Sequence, residues 1–147
     1  MRRILRATDK EPVIQALTSG ETGLFKEIWK LLLFAAMVGY HDGTREPLKK
    51  SDSGKAIDSQ VFGNCPAWPG ILYLMGLVET QDTRSLYADD KNENDLIKRF
   101  EEYANRGLTI LHSESEAGNY SVQSISRLIL EIHAPDTGST DLAKLKL

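Results

Sequence analysis

Arg45, Lys49, Lys50 and Lys55 crowd into one polar stretch, and the chemistry open to such cations is contact with phosphate. Arg2, Arg3 and Arg6 near the N-terminus could extend the same basic patch. Asp42, Glu46 and Asp52 are interleaved with it and nearly cancel its charge, so a solvated loop is the more economical account. His41 beside Asp42 could bind a metal or act as a base, yet no supporting ligand cluster stands near it in sequence. His112 stands alone, and His133 reads as a cation at a helix C-terminus, where the dipole favours it. Glu101-Glu102 and Asp89-Asp90 suggest acid/base carboxylates or a magnesium site. Adjacent residues on a helix diverge, however, so Glu101 and Glu102 are expected on a solvated face.

Cys65 is the single cysteine, which precludes an intrachain disulfide and a cysteine-built zinc site. It reads as a small buried hydrophobe. No Gly-rich phosphate loop, dinucleotide fingerprint or His-Glu-x-x-His helix is present. Trp29 and Trp68 are expected as core or interface anchors rather than stacking platforms for bases. The residues therefore predict no catalytic group, no metal and no cofactor, and a protein that is not an enzyme.

The scaffold for these residues is bounded by the totals. A chain of 147 residues favours one domain with a core of its own. Its formal charge of -3 withholds the global drive for non-specific nucleic-acid binding. The longest apolar run, Leu31 to Val38, is far short of the roughly 20 residues of a membrane helix, and no apolar signal core follows Arg2 and Arg3. A cytoplasmic protein without a membrane span is expected.

Periodicity predicts an all-α, compact multi-helix single domain, with residues 1–10 as a basic arm, 11–134 as the helical body and 135–147 as a loose tail. A short helix runs from about Glu11 to Leu17, with Pro12 in its first turn. The central element is a helix over about 22–38, capped by Thr22 and ended by Gly39, and apolar all round from Leu31. Tyr40 to Lys55 reads as a long loop, with Tyr40 as a hinge neighbour. One or two turns at Ala56–Phe62 precede an apolar helix over about 67–80, packed through Ile71, Leu72, Leu74, Met75 and Val78. An amphipathic helix over 89–103 presents Leu96, Ile97, Phe100, Tyr103 and Ala104, a stripe suited to burial internally or against another copy. Gly107 is expected to end it, with Leu108 folding back and a further helix favoured over 109–116. Ser121 caps the last helix, and Pro135 stops it.

Three segments, in this order and spacing, carry a family resemblance: Gly23-Leu24-Phe25-Lys26 leading into Leu33-Phe34-Ala35-Ala36 and Gly39-Tyr40; then Arg45-Glu46-Pro47-Leu48; then Phe100-Glu101-Glu102-Tyr103-Ala104-Asn105 with Gly107-Leu108. Together they resemble the small proteins associated with the Dnd (DNA phosphorothioation) systems of bacteria and archaea, from about Asp9 to Leu111. Arg106 stands where a second glycine would be expected in the last segment. The resemblance implies a setting, DNA sulfur modification with an attached restriction arm against foreign DNA, and carries no residue roles with it. The implied function is a non-enzymatic accessory protein whose partners are other proteins of that system, with DNA as a further contact. A small DNA-binding or regulatory module is the alternative. Arg45, Lys49, Lys50 and Tyr40 are the candidate contact residues.

Overall fold

A computed structural model describes residues 1–19, 23–115 and 120–134. Five α-helices make the body: α1 (Glu11–Thr18), α2 (Ile28–Asp42), α3 (Gly70–Thr80), α4 (Asp90–Glu114) and α5 (Val122–His133). Short 3-10 turns at Thr8–Lys10, Ser53–Lys55, Ser59–Asn64 and Thr83–Leu86 link them. Among the described residues there is no strand, only isolated antiparallel bridges pairing Ile4 with Ile57 and Ala7 with Ser51. The fold is all-helical, as the periodicity predicts.

The centre is the crossing of α2 and α4. Seven of the fifteen residues of α2 are buried, Leu31, Leu32, Ala35 and Ala36 most completely. A run that is apolar all round has no face to give to water, and here α1 and α4 both cover it. The start expected at Thr22 lies outside the described residues. Residues 23–27 are not helical, and α2 begins after Glu27, whose carboxylate accepts from the Trp29 indole N–H instead of capping the backbone.

Both glycines read as helix terminators lie inside helices. Gly39 is three residues short of the end of α2, which instead stops at Gly43 in the left-handed conformation, φ 81°. Gly107 lies in the interior of α4, which runs unbroken for 25 residues. Each glycine is there because the other helix's backbone occupies the place of a side chain. A Cβ on Gly39 would sit 2.0 Å from the Tyr103 carbonyl oxygen, and one on Gly107 would sit 1.8 Å from that of Ala35. Helix continues through Glu114, so the favoured helical reading of the segment after Thr109 holds.

Around this crossing lies an aromatic cluster. Phe62 faces Trp68 at 4.8 Å, Phe100 at 5.6 Å and Trp29 at 6.2 Å between ring centroids, which makes both tryptophans core anchors as expected. Phe62 and Phe100 are fully buried, and each such side chain contributes about 1.5–3 kcal/mol relative to exposure. The basic N-terminal segment lies along the body, with Ile4 and Ala7 buried. α5, capped by the Ser121 hydroxyl at 3.1 Å from the Ser124 amide, rests on α4 through Leu128. The expected tail at 135–147, with Pro135 at its start, lies outside the described residues.

Candidate functional site

Gly43 turns the chain out of α2, and the segment that follows is fastened along α4. The Glu46 N–H donates to the Glu102 carbonyl at 3.1 Å. One turn along α4, the Asn105 side-chain amide donates to the Glu46 and Pro47 carbonyls at 3.1 and 3.3 Å. A further turn on, the Thr109 hydroxyl donates to the Glu46 carboxylate at 2.7 Å, which also holds Lys10 at 3.2 Å. Arg106 closes the near end on Asp42 at 2.8 Å, and its guanidinium holds the Asp42 carboxyl below the ordinary value. Helix spacing sets the pattern, because residues three and four apart share a face. The Arg45-Glu46-Pro47 and Tyr103-Ala104-Asn105 segments thus meet as two halves of one clamp.

Within the clamp, Arg45 lies between carboxylates. It reaches Glu79 of α3 at 3.0 Å and Glu102 of α4 at 3.1 Å, while Arg99 shares Glu79 at 2.8 Å and holds Asp95 at 2.9 Å. The Tyr103 hydroxyl donates to Glu79 at 3.4 Å. Burial first and Glu79 second push that hydroxyl above its ordinary pKa. Tyr40 sits within α2, half-buried and edge-on to Tyr103 with centroids 5.4 Å apart. Arg45 and Tyr40 therefore knit helices together.

Of the candidate contact residues, Lys49 and Lys50 are the two that stand exposed, and no carboxylate among the described residues pairs with either. The rest of the basic patch is engaged: Arg2 on Glu101, Arg3 on the Ser53 and Ala56 carbonyls, and Arg6 and Lys55 on Glu11. Burial works against the charge of Glu11, but Arg6 and Lys55 outweigh it and hold the carboxyl below its ordinary value.

Glu101 and Glu102 are buried, not solvated. Glu101 takes both guanidinium nitrogens of Arg2, at 2.6 and 2.8 Å, and the Leu5 amide at 2.6 Å. The two carboxylates do diverge as helix geometry requires, and each finds its own cation on a distant segment. His41 is exposed, and His112 shares a 2.7 Å hydrogen bond with the Tyr120 hydroxyl. Among the described residues no three His, Cys, Asp or Glu side chains converge to hold a metal ion. Cys65 is half-buried against the core.

The outer side of α3 is one surface that periodicity alone did not place outward. Leu74 and Val78, expected in the core, are 60% and 48% exposed, while Leu72 and Met75 fill the inner face. The Thr83–Leu86 turn packs through Ser85 beside Gly76, on the other side of α3, and there Leu86 and Tyr87 are 46% and 60% exposed. The signal was present: Ile71 to Val78 is apolar throughout, more side chains than one inward face of a two-sided helix can hold. Beside that turn an open cleft of about 680 Å³ runs along the first half of α4, lined by Arg84, Tyr87, Lys91, Asn92, Asp95 and Lys98 among others. Its charges are mixed. No helix among the described residues is long and apolar enough to cross a membrane.

A family model described as DNA sulphur modification system-associated protein 4 matches residues 3–146. No curated protein and no solved structure matches the chain.

Proposed function

We propose that this chain, which belongs to the DNA sulphur modification system-associated protein 4 family, serves such a system as a non-catalytic accessory protein that binds another of the system's proteins through the outer face of α3. The observation that carries the reading is the outward pair Leu74 and Val78, one turn apart on α3 and 60% and 48% exposed. Large apolar side chains clustered at one surface mark association sites, because covering them removes area worth about 25 cal/mol per Å² from water. The partner's matching face is apolar with a polar rim. The restriction arm against foreign DNA is the setting in which such a subunit acts.

The test is Leu74→Lys with Val78→Lys, expressed within an intact modification locus and captured by a tag. Both side chains already face solvent, so the fold should keep its stability to within about 0.5 kcal/mol each. The system's own protein should no longer co-purify. Undiminished co-purification would remove α3 as the contact.

A second reading has its own observation. Lys49 and Lys50 stand side by side as cations that no carboxylate among the described residues neutralises, and a DNA-contacting role would rest on these two. Each phosphate that a lysine neutralises steepens the fall of log affinity with log salt by about 0.9 for duplex DNA. Lys49→Ala with Lys50→Ala should flatten the slope accordingly, and Arg45→Ala should leave it alone while lowering stability.

A further inference from the structure

We infer that Asn105 holds a single buried water against the N-terminal segment, in a site closed by Glu101 and the backbone of Leu5 to Ala7. Asn105 is only 4% exposed. Its side-chain nitrogen donates to two carbonyls, those of Glu46 and Pro47, which fixes the amide's orientation. Its Oδ1 is thereby turned away from that loop, and it is buried without a hydrogen-bond partner. A buried carbonyl oxygen left bare costs about 1–3 kcal/mol. Such groups are ordinarily satisfied by protein or by ordered water.

Next to it is a void of about 10 Å³, lined by Leu5, Arg6, Ala7, Glu101, Ala104 and Asn105 with Leu32 and Leu108 behind. That is about the room one water needs. The lining supplies the partners that a water requires. Antiparallel bridges pin Ile4 and Ala7, and Ala7 is extended just before the Thr8–Lys10 turn; along such a segment successive amides point to opposite sides. Ile4 and Thr8 donate to Ile57 and Lys50 on one side, and Leu5 donates to Glu101 on the other. By that alternation the Ala7 N–H falls on the side of Leu5, and no acceptor is shown for it among the described residues. Glu101 and Asn105 are one helical turn apart, close to the advance of two extended residues. Ala7 therefore stands to Asn105 as Leu5 stands to Glu101, with the void between them. The water accepts from the Ala7 N–H, donates to Asn105 Oδ1 and turns its second hydrogen to the Glu101 carboxylate. Asn105 then joins two segments to α4, the Glu46–Pro47 turn through its nitrogen and the N-terminal segment through its oxygen.

The experiment is a crystal structure at a resolution that places waters, paired with solution NMR of the same full chain. A density peak within hydrogen-bonding distance of both Asn105 Oδ1 and the Ala7 nitrogen is expected, together with a water cross-peak to the Ala7 amide proton. An empty void, or Oδ1 taking a protein donor directly, would overturn the inference. Asn105→Leu serves as a second arm. It should abolish the Ala7 cross-peak while the Leu5 amide, bonded to Glu101, keeps its protection from exchange. A surviving cross-peak in a folded Asn105→Leu protein would show the water to be held without Asn105, and the assignment would be wrong.

Discussion

Replacing Gly107 by alanine tests the central crossing directly. The added Cβ would lie 1.8 Å from the Ala35 carbonyl oxygen, 2.5 Å from its carbon and 2.8 Å from its Cα. All three are backbone atoms in the interior of α2, so no side chain can rotate out of the way. To raise 1.8 Å to the 3.4 Å of ordinary contact, the helices must separate by about 1.6 Å at the crossing, loosening the layer that contains Leu32, Ala104 and Leu108. Overpacking a core costs about 1–3 kcal/mol, and a rigid obstacle places this site at the upper end. Alanine returns about 1 kcal/mol by its better helix propensity. The net loss is about 2 kcal/mol, which lowers the midpoint of thermal unfolding by about 4–8 °C in a chain of this size. Gly70→Ala is the control, because a Cβ there meets nothing within 4 Å and the substitution should be neutral or stabilising by up to about 1 kcal/mol. Gly39→Ala should behave like Gly107→Ala, and the double substitution should cost less than the sum, since helices already parted have room for the second methyl. Unfolding followed by circular dichroism reads all four variants. A Gly107→Ala protein as stable as Gly70→Ala would refute the close crossing.

Glu101→Ala should destabilise by about 1–3 kcal/mol in urea titrations, because it strips the part-buried Leu5 amide of its acceptor while Arg2 can still turn to water. Glu101→Gln should recover part of that loss, and equal losses would discount the amide bond. Acid should weaken the fold in a defined way. Glu11 and Asp42 titrate below their ordinary 4.5 and 3.8 in the folded chain, so the stability each lends is complete above those values and is lost as pH falls through them toward the depressed folded ones. Glu11→Gln with Asp42→Asn should flatten the decline of the urea midpoint over that acidic range, and an unchanged slope would assign the acid sensitivity elsewhere.

The helices could be read from the chain because apolar spacing is a local property. The all-apolar stretch from Leu31 announced a surrounded helix, and the stripe from Leu96 to Ala104 announced α4. Gly39 and Gly107 misled for a physical reason: a glycine that ends a helix and a glycine that admits a second backbone look alike until the partner helix is known. Glu101 and Glu102 misled similarly, since the cations that bury them, Arg2 and Arg45, are remote in sequence. Arg45 looked available for phosphate for the converse reason, its acceptor Glu79 lying on another helix. The segments that carry the family resemblance, Arg45-Glu46-Pro47 and Tyr103-Ala104-Asn105, are the two sides of the clamp on α4. What they encode is architecture, which is why their spacing spoke to kinship more clearly than to chemistry.

The bridging of Glu79 and Glu102 by Arg45 has a consequence for recognition. It ties α3, the helix with the outward leucine and valine, to the rigid middle of the molecule, and Leu96 filling the gap above Gly76 ties it again. A surface braced at two points meets its partner already in shape, so little ordering entropy is forfeited on association. Loosening the brace with Arg45→Ala should therefore slow capture and hasten release without changing a single atom that the partner touches.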